Sequence, residues 1–499
     1  MSLKNRSTIL LLLLLLATAF LRFAKLGYSD YLKDEHRTFY DFRYQGTFWE
    51  FALDQRKGPM QYLVAFIPKF FVGDFSNEFA QRFGFALLNT TSVYVFYLLI
   101  RKMTEDQRIA LTAAALYSVN GFVTAFGRIA QYQSLNLFFS LMALFFYYEL
   151  AFSSSKTLRN ALLGTLCLVI SSLSHWDVIF IVVPVLYFWL YFLLKQRVSQ
   201  RLKLAALGVS LGGFLLLVLP FLIPYINNQA VSAGNRSYLN RRVGFNRERD
   251  LEFDFLIKLY NPFLAYYLYV ILGLLGALVL RKSWLLVVWF GVDYLLFYLF
   301  AAKPGTHVYN FLLPVFGLCG IGFWFVYDKL GQLRGKLAKV GSLMLVFLLI
   351  TVVCFLYFQS YRLFVESRDE YPWEDERILF LTAAKYQDKK VLPLFGFPHY
   401  RGWDQIGEFI ARENAAAGMT YTYDTNEDNS NISYYTGVDK SRSSTGYFYI
   451  GVKRPISFVQ DWKPKQIRNK TTVKTIIVDG ETVAIVYQVA PKVELPSDR

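Results

Sequence analysis

Charged residues are scarce in this chain of 499 residues, since Asp, Glu, Lys and Arg together make up only 18% of it. Soluble domains usually carry about 25% charged residues. Here 55% of the residues are hydrophobic, and many stand in unbroken runs such as residues 9–20 and 211–226. Crossing a bilayer requires runs of about 20 apolar residues. The composition therefore excludes an ordinary cytosolic enzyme and predicts an α-helical, polytopic membrane protein.

Cysteine is also rare, and the three cysteines, Cys167, Cys319 and Cys354, all lie inside apolar runs. None stands in a polar loop, where disulfides and thiolate metal ligands are usually found. The sequence therefore excludes a disulfide framework and a cysteine-based zinc site.

The positive net charge of +16 is confined to one part of the chain. From residue 359 onward, 19 basic residues balance 19 acidic ones, whereas the preceding part has 34 basic and 18 acidic residues. A basic surplus within a membrane domain is typical of cytoplasmic loops and of a surface that handles anions. Nucleic acid is therefore not an expected partner.

Eleven membrane spans are predicted from the apolar runs, with basic loops on the cytoplasmic side. The spans are placed at roughly residues 8–25, 83–100, 109–126, 133–151, 158–174, 177–194, 204–226, 262–280, 284–301, 308–327 and 340–358. The apolar segment 59–72 is short for a span and fits an interfacial helix. With that assignment, the positive-inside rule places the N-terminus in the cytoplasm and the C-terminus outside, in a plasma or inner membrane.

The chain divides into a predicted transmembrane domain, residues 1–358, and a soluble extracytoplasmic domain, residues 359–499. The second domain has the pattern of a small α/β fold. It shows a helix at 403–417 and strands at 419–423, 447–452, 472–478 and 482–489. Asp479-Gly480, between the last two strands, is a strong hairpin signal.

Polar residues recur at the outer ends of the spans, although they are far apart in sequence. They are Asp34, Glu35, Lys57, Arg128, Gln133, His175, Lys303, His307 and Tyr309. Each has an ordinary explanation as a solvated loop residue, a headgroup contact or an interfacial anchor. Because the topology puts all of them on one face of the membrane, we expect them to form one site. Asp293 differs, since a carboxylate in mid-span is costly and implies a paired or functional role.

One reaction needs a carboxylate, several cations and a location at a membrane surface. It is the transfer of a sugar from a polyprenyl phosphate to a hydroxyl group. Lys and Arg neutralise the phosphate, which is already a competent leaving group. One Asp or Glu serves as the general base for the acceptor, and direct attack inverts the anomeric centre. A second catalytic carboxylate, as in glycosidases, is not required.

At these residues the sequence resembles the GT-C membrane glycosyltransferases related to protein O-mannosyltransferases and bacterial lipid A aminoarabinose transferases. The resemblance covers about residues 1–330. The matching segments are Asp34-Glu35, Lys57-Gly58-Pro59-Met60, Arg82, Gly127-Arg128-Ile129-Ala130-Gln131-Tyr132-Gln133-Ser134 and Lys303-Pro304-Gly305-Thr306-His307-Val308-Tyr309. Their order and their placement on one side of the membrane carry more information than any single motif.

The resemblance implies that Asp34 is the catalytic base and that Glu35 orients the loop or the acceptor. It implies that Lys57 and Arg128 contact the phosphate of a polyprenyl-phosphate sugar. The acceptor is a protein, a lipid or a glycan, and the sequence does not choose among them. Gln133, His175, Lys303, His307 and Tyr309 are the further candidates for substrate binding.

The sequence departs from the family pattern at two points. The usual Lys-Pro-Pro-Leu reads Lys57-Gly58-Pro59-Met60, which is expected to loosen the turn while keeping the cation. An acidic residue after the third span is replaced by Gln133, which argues against a metal ligand there. No metal ligand and no cofactor is assigned, and a divalent metal is compatible with the chemistry without being indicated.

Two other classes of protein compete with a glycosyltransferase. A transporter or flippase of lipid-linked sugars would require charges along a central pathway and paired halves. Apart from Asp293 the span interiors carry little charge, and no internal repeat is evident. A receptor whose tail binds glycans would leave the polar residues on the outer face unexplained.

Overall fold

The computed structural model describes most of the chain. The described residues are 3–32, 34–39, 46–55, 57–231, 253–300, 305–333, 335–368, 370–386, 394–418, 420–427, 434–438, 441, 446–456 and 470–489. The first part is a bundle of helices, and the last part contains the strands. Lys303, one of the predicted binding residues, lies outside the described residues.

The helices of the bundle follow the predicted apolar runs. They are Leu3–Phe23, Phe48–Asp54, Met60–Val72, Glu78–Thr104, Gln107–Val119, Gly121–Phe126, Tyr132–Phe152, Thr157–Ser172, Val182–Lys195, Gln200–Val231, Phe253–Tyr260, Ala265–Ala277, Leu280–Phe300, Tyr309–Gln332 and Lys336–Phe364. Short 3-10 helices occupy His36–Thr38, Trp176–Ile181 and Gly305–Val308. The predicted helical membrane fold is therefore confirmed.

Seven helices in the described part of the chain are long and apolar enough to cross a membrane. They are Glu78–Thr104, Tyr132–Phe152, Trp176–Lys195, Gln200–Asn228, Leu280–Leu299, Tyr309–Gln332 and Lys336–Phe364. Three more of the expected spans correspond to shorter apolar helices, Ser7–Phe23, Thr157–Ser172 and Ala265–Ala277. The segment expected to be interfacial forms the 13-residue helix Met60–Val72. Its Phe70 and Phe71 are 77% and 85% exposed, as an interfacial role requires.

The span expected at 109–126 is instead two helices, which meet at Asn120. The backbone of Asn120 is extended, and its side chain accepts hydrogen bonds from the N–H groups of Phe122 and Val123. It is thus the N-cap of the second helix. The Gly121 N–H donates to the Asn261 side chain, with an N···O distance of 2.7 Å. A helix can break at this depth because other groups satisfy its free backbone donors.

The chain after the bundle forms a two-stranded and a four-stranded sheet. The two-stranded sheet pairs β1 (Glu376–Ile378) with β2 (Leu381–Ala383). The larger sheet has the order β3 (Thr422–Thr425), β4 (Tyr447–Val452), β6 (Glu481–Val489) and β5 (Lys470–Val478). Only β3 and β4 are parallel, and helix Trp403–Ala417 packs on this sheet.

The strand predictions for the tail hold with small shifts. The strand expected at 419–423 begins three residues later, at Thr422. Asp479 and Gly480 have φ values of 50° and 85°, as the tight turn of the predicted hairpin requires. The domain boundary at 358/359 stays a prediction. The last membrane helix continues to Phe364, and Phe397 still belongs to the bundle's hydrophobic core.

The tail rests on the first outer loop through specific polar contacts. The Tyr435 hydroxyl donates to a carboxylate oxygen of Glu78 and accepts the Tyr31 N–H, each at 2.8 Å. The Arg401 N–H donates to an Asp30 carboxylate oxygen at 2.6 Å. These contacts fasten the tail to the loop that carries Asp34.

Close approach between helices Ala265–Ala277 and Tyr309–Gln332 depends on glycine. A Cβ on Gly276 would lie 2.0 Å from the Leu318 carbonyl oxygen, and one on Gly322 would lie 2.1 Å from the Leu272 oxygen. Small residues allow such backbone contact between membrane helices. The contact holds in place the helix that begins at Tyr309.

We expect Gly322→Leu to separate these two helices and to cost about 1–3 kcal/mol or more, because the new side chain would enter occupied space. Thermal unfolding of the detergent-solubilised protein measures the loss. Gly331→Leu is the matched control, since no atom lies within 4 Å of its Cβ position on the same helix. Equal melting temperatures for the two variants would contradict the packing described here.

Candidate active site

Asp34 and Lys57 meet at the end of the bundle where the first helix ends, although 22 residues separate them in sequence. Lys57 Nζ lies 3.5 Å from Asp34 Oδ2. The Asp34 side chain is 30% exposed and that of Lys57 is 14% exposed. A carboxylate and an ammonium group therefore share one position at the rim, where both remain open to a substrate.

The turn after Lys57 is held tightly by backbone contacts. The N–H groups of Gly58 and Met60 donate to the carbonyl oxygens of Ser174 and Leu173, each at 3.1 Å. A Cβ on Gly58 would lie 1.9 Å from the Leu173 oxygen, so only glycine fits. The glycine that we expected to loosen this turn instead permits its close packing.

The surroundings of Lys57 tune its charge. Burial lowers the pKa of the Lys57 ammonium, and the nearby Asp34 carboxylate opposes this shift. Lys57 Nζ also lies 5.3 Å from the ring centroid of Tyr132, within range of a cation–π contact. Lys57 is consequently a partly desolvated cation that pairs with Asp34, and a cation of this kind suits the capture of an anion.

Glu35 forms a fully buried ion pair with Arg82. Both oxygens of the Glu35 carboxylate accept N–H bonds of 2.8 Å from the Arg82 guanidinium. The same carboxylate accepts the N–H groups of Leu32 and Ala130, also at 2.8 Å. Because its acceptor sites are engaged by protein groups, Glu35 fits the orienting role expected for it rather than direct contact with substrate.

Arg128 caps the C-terminus of the first helix. Its guanidinium donates to the carbonyl oxygens of Leu21, Arg22, Ala24 and Lys25 at 2.9–3.3 Å. A cation at a helix C-terminus satisfies carbonyl groups that lack helical partners. Burial lowers the pKa of the Arg128 guanidinium, and the cations of Arg82 and Arg22 lower it further. These contacts favour a structural role, and the phosphate contact expected for Arg128 stays a prediction.

His175, His307 and Tyr309 converge on a single carboxylate, that of Asp177. Asp177 Oδ1 lies 2.8 Å from Nδ1 of His175 and 3.0 Å from Nδ1 of His307. The Tyr309 hydroxyl and the Asn310 amide donate to Oδ2 at 2.8 and 3.1 Å. Three predicted binding residues are thus brought together around a group that was not predicted.

Tyr132 joins this cluster to Lys57. Its ring stacks on His175 with a centroid distance of 3.7 Å, and its hydroxyl lies 3.4 Å from Nδ1 of His307. Lys57 Nζ, described above, lies over the same ring. The Asp34–Lys57 pair and the Asp177 cluster are therefore two parts of one polar region.

The side chain of Gln133, the residue after Tyr132, is buried. Its Oε1 has no hydrogen-bond partner among the described residues, and neither side-chain polar atom of Gln131 has one. The binding role expected for Gln133 stays a prediction. Asp293 is likewise buried, with both oxygens unpartnered within the described part of the chain.

Sequence reasoning missed Asp177 and Tyr132 as members of the site. Asp177 follows His175 by two residues in an outer turn, and Tyr132 stands in the Gly127–Ser134 segment. A carboxylate two residues from a histidine was the available signal. The ligand atoms of His175, Asp177 and His307 lie within 4.8 Å of one another, a spacing that can hold a metal ion.

Comparison with known proteins supports the resemblance seen in the sequence. The family model of the dolichyl-phosphate-mannose-protein mannosyltransferases matches residues 49–233. The structure of ArnT from Cupriavidus metallidurans bound to undecaprenyl phosphate superposes with a TM-score of 0.54 and 9% identity, over 97% of this chain and 98% of that chain. Its apo state gives a TM-score of 0.52 and 11% identity over the same shares.

A further similar structure is the S. cerevisiae protein O-mannosyltransferase Pmt1-Pmt2 complex bound to the sugar donor. The identity is 18% and the TM-score 0.36, over 46% of this chain and 35% of that chain. The present chain therefore spans about a third of the length of that relative. No curated protein matches the sequence.

The fold is that of a GT-C integral membrane protein, since nearly the whole chain superposes on ArnT. Residues 49–233 resemble the dolichyl-phosphate-mannose-protein mannosyltransferases in sequence, and nearly the whole chain resembles ArnT in fold.

We expect Glu35→Gln to cost about 3–5 kcal/mol of stability, because it leaves the buried Arg82 guanidinium without its counter-ion. Thermal melting of Glu35→Gln, Arg82→Gln and the double variant measures the coupling. The double variant should be more stable than the sum of the single losses predicts. Strict additivity would mean that the pair does not anchor the loop.

Proposed function

We propose that this protein is an inverting glycosyltransferase that moves a sugar from a polyprenyl-phosphate donor to an acceptor hydroxyl. The single observation that carries the proposal is the contact between Asp34 and Lys57 at the outer rim of the bundle. The likeness of residues 49–233 to mannosyltransferases supports it. The undecaprenyl phosphate bound to ArnT supports the choice of a polyprenyl-phosphate donor.

In the proposed reaction Asp34 is the general base. The acceptor oxygen attacks the anomeric carbon while the Asp34 carboxylate takes the hydroxyl proton. The bond between the anomeric carbon and the phosphate oxygen breaks, and polyprenyl phosphate leaves with both electrons. Asp34 then releases the proton to water, which its partial exposure permits.

Lys57 is the proposed phosphate ligand, and it also controls Asp34. A nearby ammonium group stabilises a carboxylate in its charged form and so makes it a weaker base. When the donor phosphate binds Lys57, it competes with Asp34 for the same ammonium group. Donor binding would then strengthen the base at the moment when an acceptor is needed.

The other predicted residues support these two groups in the proposal. Glu35 positions the loop through Arg82, and Arg128 holds the end of the first helix. His175, His307 and Tyr309 line the site through Asp177, and Lys303 and Gln133 remain proposed substrate contacts. The acceptor is a protein, a lipid or a glycan.

The proposed orientation places the reaction outside the cytoplasm. The N-terminus is then cytoplasmic, and the domain 359–499 covers the site from the aqueous side. The contacts of Tyr435 and Arg401 with the first outer loop support this arrangement. The plasma or inner membrane is the proposed location.

Asp293 is the observation that favours the alternative, a transporter or flippase of lipid-linked sugars. Its side chain is fully buried in the middle of helix Leu280–Phe300, where a carboxylate is costly. A carrier would depend on such a group and would tolerate changes at Asp34.

We expect Asp34→Asn to reduce transfer about 100-fold or more, because the amide cannot accept the acceptor proton. Mass spectrometry of the lipid-linked sugars in cells that carry only this variant should show the donor accumulating. Asp54→Asn is the matched control, an exposed carboxylate of the same outer loop. Normal levels of lipid-linked sugars in cells with folded Asp34→Asn, together with abnormal levels in cells with Asp293→Asn, would favour the carrier.

We expect the binding of undecaprenyl phosphate to weaken as the pH rises through the lowered pKa of Lys57, because only the ammonium form attracts the phosphate. This alkaline loss should begin below the pH expected for an exposed lysine, whose pKa is about 10.4. Lys57→Arg should move the loss to higher pH, since guanidinium stays charged. Lys69→Arg, on the adjacent interfacial helix, should leave the profile unchanged. An identical shift in both variants would refute the assignment.

A further inference from the structure

The arrangement of atoms around Asp177 is unusual for a purely hydrogen-bonded cluster. Two imidazole Nδ1 atoms, from His175 and His307, approach the same carboxylate oxygen at 2.8 and 3.0 Å. They come from distant parts of the chain, 132 residues apart. Asp177 and His175 are buried, so bulk water does not screen the interaction between these atoms.

Nitrogen and carboxylate ligand atoms are crowded together at the centre of the cluster. The Asp177 N–H donates to Nδ1 of His175 at 3.2 Å, and the same nitrogen lies 2.8 Å from Asp177 Oδ1. Nδ1 of His307 lies 3.0 Å from both oxygens of that carboxylate. Among the described residues no well-aligned hydrogen bond reaches Oδ1, so a cation at this centre would supply the positive charge that a buried carboxylate requires.

We propose that His175, Asp177 and His307 are the ligands of a Zn²⁺ ion. Two imidazole nitrogens and one carboxylate oxygen form a ligand set typical of zinc sites that keep one position open. Ca²⁺ and Mg²⁺ prefer ligand sets made only of oxygen. With zinc bonds of about 2.0–2.1 Å in a tetrahedral site, the two Nδ1 atoms must move slightly away from Oδ1, and the ion replaces the long Asp177 N–H bond to His175.

The groups behind the ligands are arranged as they are behind metal ligands in general. The Tyr309 hydroxyl and the Asn310 amide donate to Oδ2, which Nδ1 of His307 also approaches at 3.0 Å, so Oδ1 is the oxygen that these donors leave for the ion. The Tyr132 ring stacks on His175 and fixes its plane. Such outer contacts orient ligands and commonly change metal affinity by about 10–100-fold.

The position of the site suggests what the ion does. Tyr132 separates the cluster from Lys57, whose ammonium lies 5.3 Å from the centre of its ring. The ion would add a second positive charge to the region where the donor phosphate is proposed to bind. This role rests on the proposed function, whereas the existence of the metal site does not.

The test of the site itself uses the full-length protein in detergent. After dialysis against zinc and removal of loosely bound metal, elemental analysis of the wild-type protein should give one zinc per chain. His307→Gln should retain at most about one tenth of that amount of zinc. The His399→Gln variant is the histidine control, because His399 lies in the tail and binds the Arg454 carbonyl oxygen. Equal zinc content in wild type and His307→Gln would overturn the proposal.

A second variant protects the test from a simple folding defect. His307→Cys keeps a zinc ligand, so it should recover the zinc content that His307→Gln loses. With Co²⁺ in place of zinc, it should also show a sulfur-to-cobalt charge-transfer band that the wild type lacks. Lack of this band in folded His307→Cys would show that His307 is not a ligand.

The role of the ion is tested separately with undecaprenyl phosphate as the probe. Wild-type protein loaded with zinc should bind it more tightly than the same protein after chelation, and His307→Gln should show no such difference. Binding unaffected by zinc would refute the role beside the donor while leaving the metal site in place. Loss of transfer in Asp34→Asn does not depend on either result, so failures of the two proposals are distinguishable.

Discussion

The buried pair between Glu35 and Arg82 is the interaction on which the outer site depends. Glu35 is the neighbour of Asp34, and its carboxylate also accepts the N–H of Ala130, two residues before Tyr132. One side chain thus ties the first outer loop to the segment that carries Tyr132. Arg82 completes the arrangement by binding the carbonyl oxygens of Leu26, Ser29 and Asp30. The position of Asp34 relative to the Tyr132 ring therefore depends on the Glu35–Arg82 pair.

A buried ion pair is weak support for stability, because desolvation offsets much of the attraction. Its value here is positional. The loop around Asp34 has little regular structure of its own, only a 3-10 turn at His36–Thr38. Without a fixed counter-ion, a carboxylate in such a loop would sample many positions relative to the donor. Holding a reacting group in one geometry is among the largest contributions that a protein makes to catalysis.

The sequence was sufficient to predict the membrane fold, the interfacial helix and the hairpin at Asp479-Gly480, because apolar length and turn residues are local properties. It was not sufficient to predict the break at Asn120, since the amide of Asn261 that helps to satisfy it lies 141 residues away. For the same reason the sequence did not predict that Arg128 caps a helix. Its carbonyl partners belong to the end of another helix, and only tertiary structure reveals them.

The site shows the same division between local and distant information. The positive-inside rule alone predicted that Asp34, Lys57, His175, His307 and Tyr309 lie on one side of the membrane. It did not reveal that the last three share Asp177, because a carboxylate in a short turn looks like any solvated group. Depth of burial and the identity of facing atoms, which decide what Asp177 does, are absent from a linear pattern.

The helix Lys336–Phe364 has only 11% of its apolar window buried inside the protein. Its outward side chains therefore need only be apolar to suit the bilayer. The side chains of the site, in contrast, must match individual neighbouring atoms. Many different apolar sequences satisfy such a helix equally well. A chain can therefore share the fold of ArnT from Cupriavidus metallidurans although only 9% of the residues are identical.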